Sequence, residues 1–443
     1  MTTANASLLQ AARAFLSGQS LTPAAQAALA AVTDDLDGWC ERIAPPSAFQ
    51  PIAPGCSGPD PIPGYPDAAL YWHTPEAYHP DRPCRLFLFM HGGDTDTPNT
   101  APLDNYIGPK AVMHPFLKNL PVIVAAPSAP PAPNGKRWNH PGAVDYLEAI
   151  LDAATRKFNI DRERIIIGGH SMGGFGAYHL GQLLADKAAA LWLSAGAWKL
   201  SDFRSLLGTA VYISHAKYDC AYAYRGAHKC PRHHDWCGTS FARAAHQLML
   251  RDQVDHVYDE HDGGHGLFWE PAQMSLQRFL NWALLQKRQP FAQRTALVTP
   301  RGTADPDLPE RPFSRWLSID RALPGEIAFD RINLTGPNVA WTIDELAAQS
   351  FFLDQQKRPG ARLIAAIDGA NHFAVTTENV AAFSIWLHPE MVDLNQPVTV
   401  NCNGRVLTAQ PQPSLLTRLE GMRLRRDPAS PYVAKISFDL EKP

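Results

Sequence analysis

From about residue 67 onward, short apolar runs alternate with stretches of helical periodicity. The runs Ala68–His73, Arg85–Met90, Val122–Ala125, Arg164–Ile167, Ala190–Ser194, Ala210–Ser214 and His256–Asp259 predict strands. Several are continuously apolar, as parallel strands covered on both faces must be. Between them, Pro141–Phe158 sets Val144, Leu147, Leu151, Ala154 and Phe158 on one helical face, and a last helix runs from about Pro271 to Gln286. Strand–helix alternation over 67–288 predicts an open, mostly parallel α/β sheet.

Different patterns flank this region. Leu8, Leu9, Ala12, Phe15 and Leu16 recur at helical spacing, and Thr22-Pro23 reads as an N-cap followed by proline at the first helical position. Residues 45–66 are dense in Pro and Gly and read as an irregular connection, so 1–66 form a helical segment plus that connection. Pro290, Pro300, Pro306, Pro309 and Pro312 mark 289–313 as a linker. Over 314–443 the strand-like pieces are Trp316–Asp320, Ile327–Ile332, Ala361–Ile367, Phe383–Leu387, Val398–Asn401 and Tyr432–Phe438; Thr342–Gln349 and Pro413–Leu424 read as helices. This predicts a second, mainly β, sandwich-like domain.

Composition narrows the class. With 45% hydrophobic and 19% charged residues in 443, the chain is neither disordered nor fibrous. A net charge of −3 gives no basic excess for a nucleic-acid partner. No apolar stretch approaches the roughly 18 residues that span a bilayer. Residues 1–20 lack a basic n-region, so the expectation is no secretory signal and, by default, a cytoplasmic location. Seven scattered cysteines make no disulfide framework.

The sharpest chemical signal is Gly169-His170-Ser171-Met172-Gly173, a G-x-S-x-G between the β-branched run Ile165-Ile166-Ile167 and a helix-like stretch. That is the strand–turn–helix setting of a nucleophile elbow, which lifts the serine hydroxyl above the sheet. His91-Gly92-Gly93-Asp94 directly follows the strand Arg85–Met90. Acyl transfer needs two N–H donors where the oxyanion forms. The amide of Met172 is one candidate; Gly93 is the other, with Asp94 as its alternative. A serine also needs a base and an orienting acid. Chain order places the acid at Asp219 and the base at His265, 48 and then 46 residues on. His261 and His256 compete for the base, and Asp235 and Asp259 for the acid. His91, His170, Trp138 and Asn139, with the nearby Asn105 and Tyr106, are candidate substrate contacts, because ligands of open α/β sheets bind outside the carboxyl ends of strands.

These residues resemble the α/β-hydrolase superfamily, most closely the bacterial esterase, dienelactone-hydrolase and prolyl-oligopeptidase-like group that pairs H-G-G with G-H-S-M-G-G. The likeness covers about 67–288. It implies an eight-stranded, mostly parallel sheet, a Ser171–Asp219–His265 triad and hydrolysis of an ester or amide through an acyl-enzyme, with no substrate fixed. The C-terminal region is similar to β domains appended to some bacterial members. The expected reaction is hydrolysis of a small-molecule or polymer carboxylic ester, with no metal or organic cofactor. The alternatives are a serine peptidase using the same triad and a polymer- or carbohydrate-binding protein. Cys220, His228, Cys230, His233, His234 and Cys237 cluster after Asp219, but their spacing fits no regular zinc site. They read as a loop walling the substrate pocket, its cysteines a disulfide or free thiols, with zinc as the lesser alternative.

Overall fold

Side chains of a strand point alternately to the two faces of its sheet, so a strand apolar at every position needs cover on both. The computed structural model, which describes residues 3–45, 48–133, 135–219, 238–299, 311–335 and 348–441, provides that cover. The strands in the first part of the chain are β1 (Gly55–Ile62), β2 (Tyr65–Thr74), β3 (Cys84–Met90), β4 (Val122–Pro127), β5 (Ile160–His170), β6 (Ala190–Ser194), the two-residue β7 (Leu200–Ser201), β8 (Ala210–Ala216) and β9 (His256–His261). All but β7 form one sheet in the order β1-β2-β4-β3-β5-β6-β8-β9. The six strands from β4 to β9 are parallel; β2 and β1 extend the sheet antiparallel.

The helices are α1 (Thr3–Leu16), α2 (Pro23–Ala30), α3 (Leu36–Ile43), α4 (His114–Leu117), α5 (Ala143–Lys157), α6 (Met172–Leu183), α7 (Thr239–Asp252), α8 (Glu270–Ala283) and α9 (Leu415–Arg425). Leu86, Leu88, Ile165, Ile167, Leu191 and Ile213 meet α5, α6 and α7 on one face of the sheet. Phe87, Phe89, Ile166, Trp192 and Tyr212 meet Leu276, Phe279 and Leu280 of α8 on the other. Each such side chain, fully buried, contributes about 1.5–3 kcal/mol.

The fold is therefore the α/β sheet with flanking helices that the pattern predicts, with two corrections. Residues 55–62 are not irregular: β1 is an edge strand on β2, paired from Gly55↔Thr74 to Ile62↔Tyr65. Pro59 and Pro61 are tolerated there because an edge strand can leave N–H positions unpaired. Within 289–313, Arg294–Thr299 is not linker but strand β10, whose partner is Ala361–Ile367. Residues 300–310 lie outside the described set.

Beyond β10 come β11 (Phe313–Ser314), β12 (Leu317–Ala322), β13 (Glu326–Leu334), β14 (Phe351–Pro359), β15 (Ala361–Ile367), β16 (His372–Glu378), β17 (Val380–Leu387), β18 (Val398–Cys402), β19 (Arg405–Ala409) and β20 (Ala434–Asp439). The sheets β10-β15-β16-β18-β19 and β11-β12-β17-β20 share one core, in which Leu297, Leu363 and Phe373 of the first meet Leu317, Phe383 and Ile436 of the second. That is the sandwich the sequence predicts. A third sheet, β14-β13-β7, ties it to the α/β unit through Asp330↔Ser201. The predicted helix 342–349 falls largely outside the described residues. At the other end, Leu9, Ala12, Leu29 and Ile43 of α1–α3 bury against Leu415, Leu419 and Met422 of α9.

Candidate active site

Strand β5 ends at His170, α6 begins at Met172, and Ser171 makes the turn between them with φ 57° and ψ −118°. A non-glycine residue held there stores about 1–3 kcal/mol of strain. Gly173 makes this turn possible: a Cβ on it would lie 1.9 Å from the Met90 carbonyl oxygen. The backbone of β3 thus passes directly beneath the turn, and any side chain at 173 would part them.

Asp219 and His265 arrive on the loops that follow β8 and β9. The two strands are parallel neighbours out to Ala216↔His261. Beyond the strands, Lys217 N–H donates to the His261 carbonyl and Tyr218 N–H to the Gly263 carbonyl, so the loops are laced together up to the side chains that matter. His265 Nε2 lies 2.7 Å from Ser171 Oγ, and His265 Nδ1 lies 2.6 Å from Asp219 Oδ1. Burial alone would raise the Asp219 carboxyl, but the His265 and His215 rings outweigh it and hold the group well below the usual carboxylate range. Burial would lower His265; the Asp219 charge and hydrogen bond overcome it and raise the ring above its ordinary value.

The rival residues stand elsewhere. His256 bonds to the Val254 carbonyl and to His246. His261 is pushed down to about 4, chiefly by burial, and makes no contact with Ser171. Asp259 is engaged by Arg278, Tyr212 and Ser275. Asp235 and the Cys220–Cys237 cluster lie outside the described residues. Among the described residues no group of three or more His, Cys, Asp or Glu side chains is placed to hold a metal ion.

The segment after β3 separates the candidate oxyanion donors. Asp94 N–H donates to Thr97 Oγ1 at 2.8 Å, so this alternative to Gly93 is already engaged. Gly92 N–H donates to the Tyr106 hydroxyl at 3.0 Å. No acceptor among the described residues takes the amides of Gly93 and Met172. Gly93 sits at φ 138°, which few residues other than glycine adopt.

A cavity of about 790 Å³ opens over Ser171 and His265. It is lined by Gly93, by the 104–115 segment including Asp104, Asn105, Tyr106 and Lys110, by His170, and by Leu267 and Phe268. Tyr106 comes from a π-helical turn, Pro102–Ile107, a widened geometry common at functional sites. Of the four expected substrate contacts, only His170 lines this cavity; its Nδ1 lies 3.0 Å from Ser194 Oγ. His91 is buried and locked, donating from Nδ1 to the Gly92 carbonyl and accepting at Nε2 from Ala129 N–H. Trp138, also buried, donates to the His91 carbonyl. Their bonds brace the His91–Gly92 backbone, which corrects the expectation of substrate contact, and Asn139 stands outside the cavity lining.

The sequence marks Tyr106 but not its bond to Gly92, and it does not single out His215, whose Nε2 lies 2.7 Å from Asp219 Oδ2. The available signal was its position, four residues before Asp219 at the end of an apolar strand.

The strand order, the strained serine turn and the two following loops together define the fold. It is an α/β-hydrolase fold. No protein-family model matches the chain, and no curated protein matches it. Solved structures do. A thermostable esterase is 20% identical over 50% of this chain, with a TM-score of 0.38. The chain spans 60% of that esterase's length. An S-formylglutathione hydrolase from Staphylococcus aureus is 16% identical over 49% of this chain and 92% of its own, with a TM-score of 0.33. Poly(aspartic acid) hydrolase-1 from Sphingomonas sp. KT-1 is 12% identical over 52% of this chain and 99% of its own, with a TM-score of 0.37.

Proposed function

We propose that this chain is a serine hydrolase that cleaves a carboxylic ester through an acyl-enzyme. The observation that carries the reading is the continuous relay from Asp219 through His265 to Ser171, 2.6 and 2.7 Å per link, at the floor of an open cavity.

Ser171 Oγ attacks the ester carbonyl while His265 Nε2 takes its proton. Asp219 Oδ1 accepts from His265 Nδ1–H, which fixes the tautomer and stabilises the imidazolium that forms. The carbonyl oxygen becomes an oxyanion, received by the amides of Met172 and Gly93. Met172 stands at the start of α6, where the first N–H groups of a helix have no partner within it. One such donor is worth about 3–4 kcal/mol of barrier. The tetrahedral species collapses, the C–O bond breaks, and His265 returns its proton to the departing alcohol. Water then enters, loses a proton to the same imidazole, and releases the acid and free Ser171.

A panel of p-nitrophenyl esters set beside peptide anilides tests the reading. Turnover of the esters that disappears in Ser171→Ala is expected. Faster cleavage of the anilides would replace esterase with peptidase.

A further inference from the structure

Leu267 and Phe268 follow the base His265 closely and face different ways. Leu267 is buried with Leu276 and Phe279 of α8, whereas Phe268 is 60% exposed and lines the cavity over Ser171. An exposed phenylalanine on its own needs no explanation. This one is held in place. A Cβ on Gly266 would collide with its Cε1 and lie 2.7 Å from Cδ1 and Cζ, so the ring folds back over the residue next to the base. The Trp269 ring packs against it, with centroids 4.8 Å apart at 46°. We propose that Phe268 is the platform on which the alcohol part of the ester rests, so that the chain selects esters whose alcohol carries a flat apolar group. This rests on the reading of Ser171, His265 and Asp219 as a serine-hydrolase relay.

The route of the proton decides which part of the substrate meets Phe268. When the ester C–O bond breaks, the departing oxygen takes its proton from His265 Nε2, so it must come within hydrogen-bond reach of that nitrogen. Whatever this oxygen carries then lies beside the residues that continue from His265. The oxyanion is drawn elsewhere. Gly93 follows β3 and His265 follows β9, and these strands stand on opposite sides of β5, which delivers Ser171. The tetrahedral carbon therefore turns its oxyanion toward the β3 loop and its leaving group toward the β9 loop.

The β9 side of the cavity is suited to an apolar group. Gly266 and Leu267 adjoin Phe268 in the lining, whereas the lining's Asp104 and Lys110 belong to the segment after β3. A ring laid on Phe268 takes the apolar surface of both out of water. Two rings gain further from offset or edge contact. A methyl group is too small to cover the platform, so selection here is by apolar area rather than by charge.

The test uses the full-length protein and two ratios of kcat/KM. Benzyl acetate against methyl acetate keeps the acyl group constant, and the two alcohols are alike in acidity, so their ratio reports the alcohol side. Methyl phenylacetate against methyl acetate reports the acyl side. The wild type should prefer the benzyl ester. Phe268→Ala should cut the benzyl-to-methyl ratio by about 10-fold, and Phe268→Tyr, which keeps the ring, should retain it. An alcohol ratio that moves by less than about twofold in Phe268→Ala would overturn the proposal. So would a larger fall in the acyl ratio than in the alcohol ratio. Should no acetate be turned over, protection decides: benzyl alcohol should slow fluorophosphonate labelling of Ser171 in the wild type and slow it less in Phe268→Ala, and equal protection of the two overturns the proposal. The same labelling separates the two levels of the argument. Failure of wild-type Ser171 to label sinks the serine-hydrolase reading itself, whereas normal labelling with an indifferent position 268 sinks only the alcohol platform.

Discussion

Ser171 holds its backbone at φ 57°, with its Oγ 2.7 Å from His265 Nε2. If Ser171 is the nucleophile, as proposed, Ser171→Ala should lower kcat by about 10⁶, measured in steady state. Asp219→Asn keeps the shape and removes the charge. It should lower kcat by about 10⁴ through the wrong imidazole tautomer. The pH dependence follows from the sign of the His265 shift. Asp219 favours the protonated ring and raises it above its ordinary value, and a base must be neutral to accept the serine proton. Activity should therefore fall as pH drops through a midpoint above the ordinary imidazole value of about 6.5, and Asp219→Asn should move that midpoint down. At this scale much of the site was legible. Glycines around a serine, and an Asp and a His each placed after a strand, follow from chain order. Contacts between side chains did not: nothing in the pattern ties His215 to Asp219, and Trp138 reads as a pocket aromatic, whereas its ring is buried.

Elements carry the second lesson. The strands β3, β5, β6 and β8 were legible because burial on both faces demands unbroken apolar runs. Strands β1 and β10 were hidden by neighbouring prolines, and β14 by its exposed, polar sequence FFLDQQKRP. Composition marks burial, and an edge strand need not be buried. The same packing logic gives a test within one turn. A methyl on Gly92 would meet the Tyr106 hydroxyl at 2.7 Å and Ser171 Cβ at 2.9 Å, whereas one on Gly173 would meet the β3 backbone at 1.9 Å. Gly92→Ala should lower kcat, since its methyl also meets Ser171 Cβ and the His170 carbonyl oxygen, and should lower Tm less steeply than Gly173→Ala. Gly173→Ala should lower Tm steeply, since backbone cannot yield. Thermal melts beside ester assays measure both.

The α/β unit and the sandwich are joined by more than a linker. Arg362 of β15 donates to Asp202 at 2.7 Å with both side chains buried, and Arg251 of α7 pairs with Asp330 of β13 at 2.6 Å. Truncating Arg362 withdraws a buried partner charge, a change that costs about 3–5 kcal/mol. Arg362→Ala should lower the Tm of the whole chain in a single transition rather than melt the sandwich alone, as calorimetry would show. Two independent transitions would mean the units are only tethered. The sequence showed two compositions, one mixed and one mainly β. It did not show that β7 in the first pairs with β13 in the second, because a two-residue strand has no pattern to read. It also did not show that β10, read as linker, completes the sandwich, so a fragment starting at 314 lacks an edge of its own core.

Whether Ser171 is the nucleophile is decided by treating the intact protein with a fluorophosphonate, digesting it, and locating the adduct by mass spectrometry. A single modified residue, Ser171, is expected, with markedly slower modification in His265→Ala. An adduct on a different serine, or none at all on correctly folded protein, would contradict it.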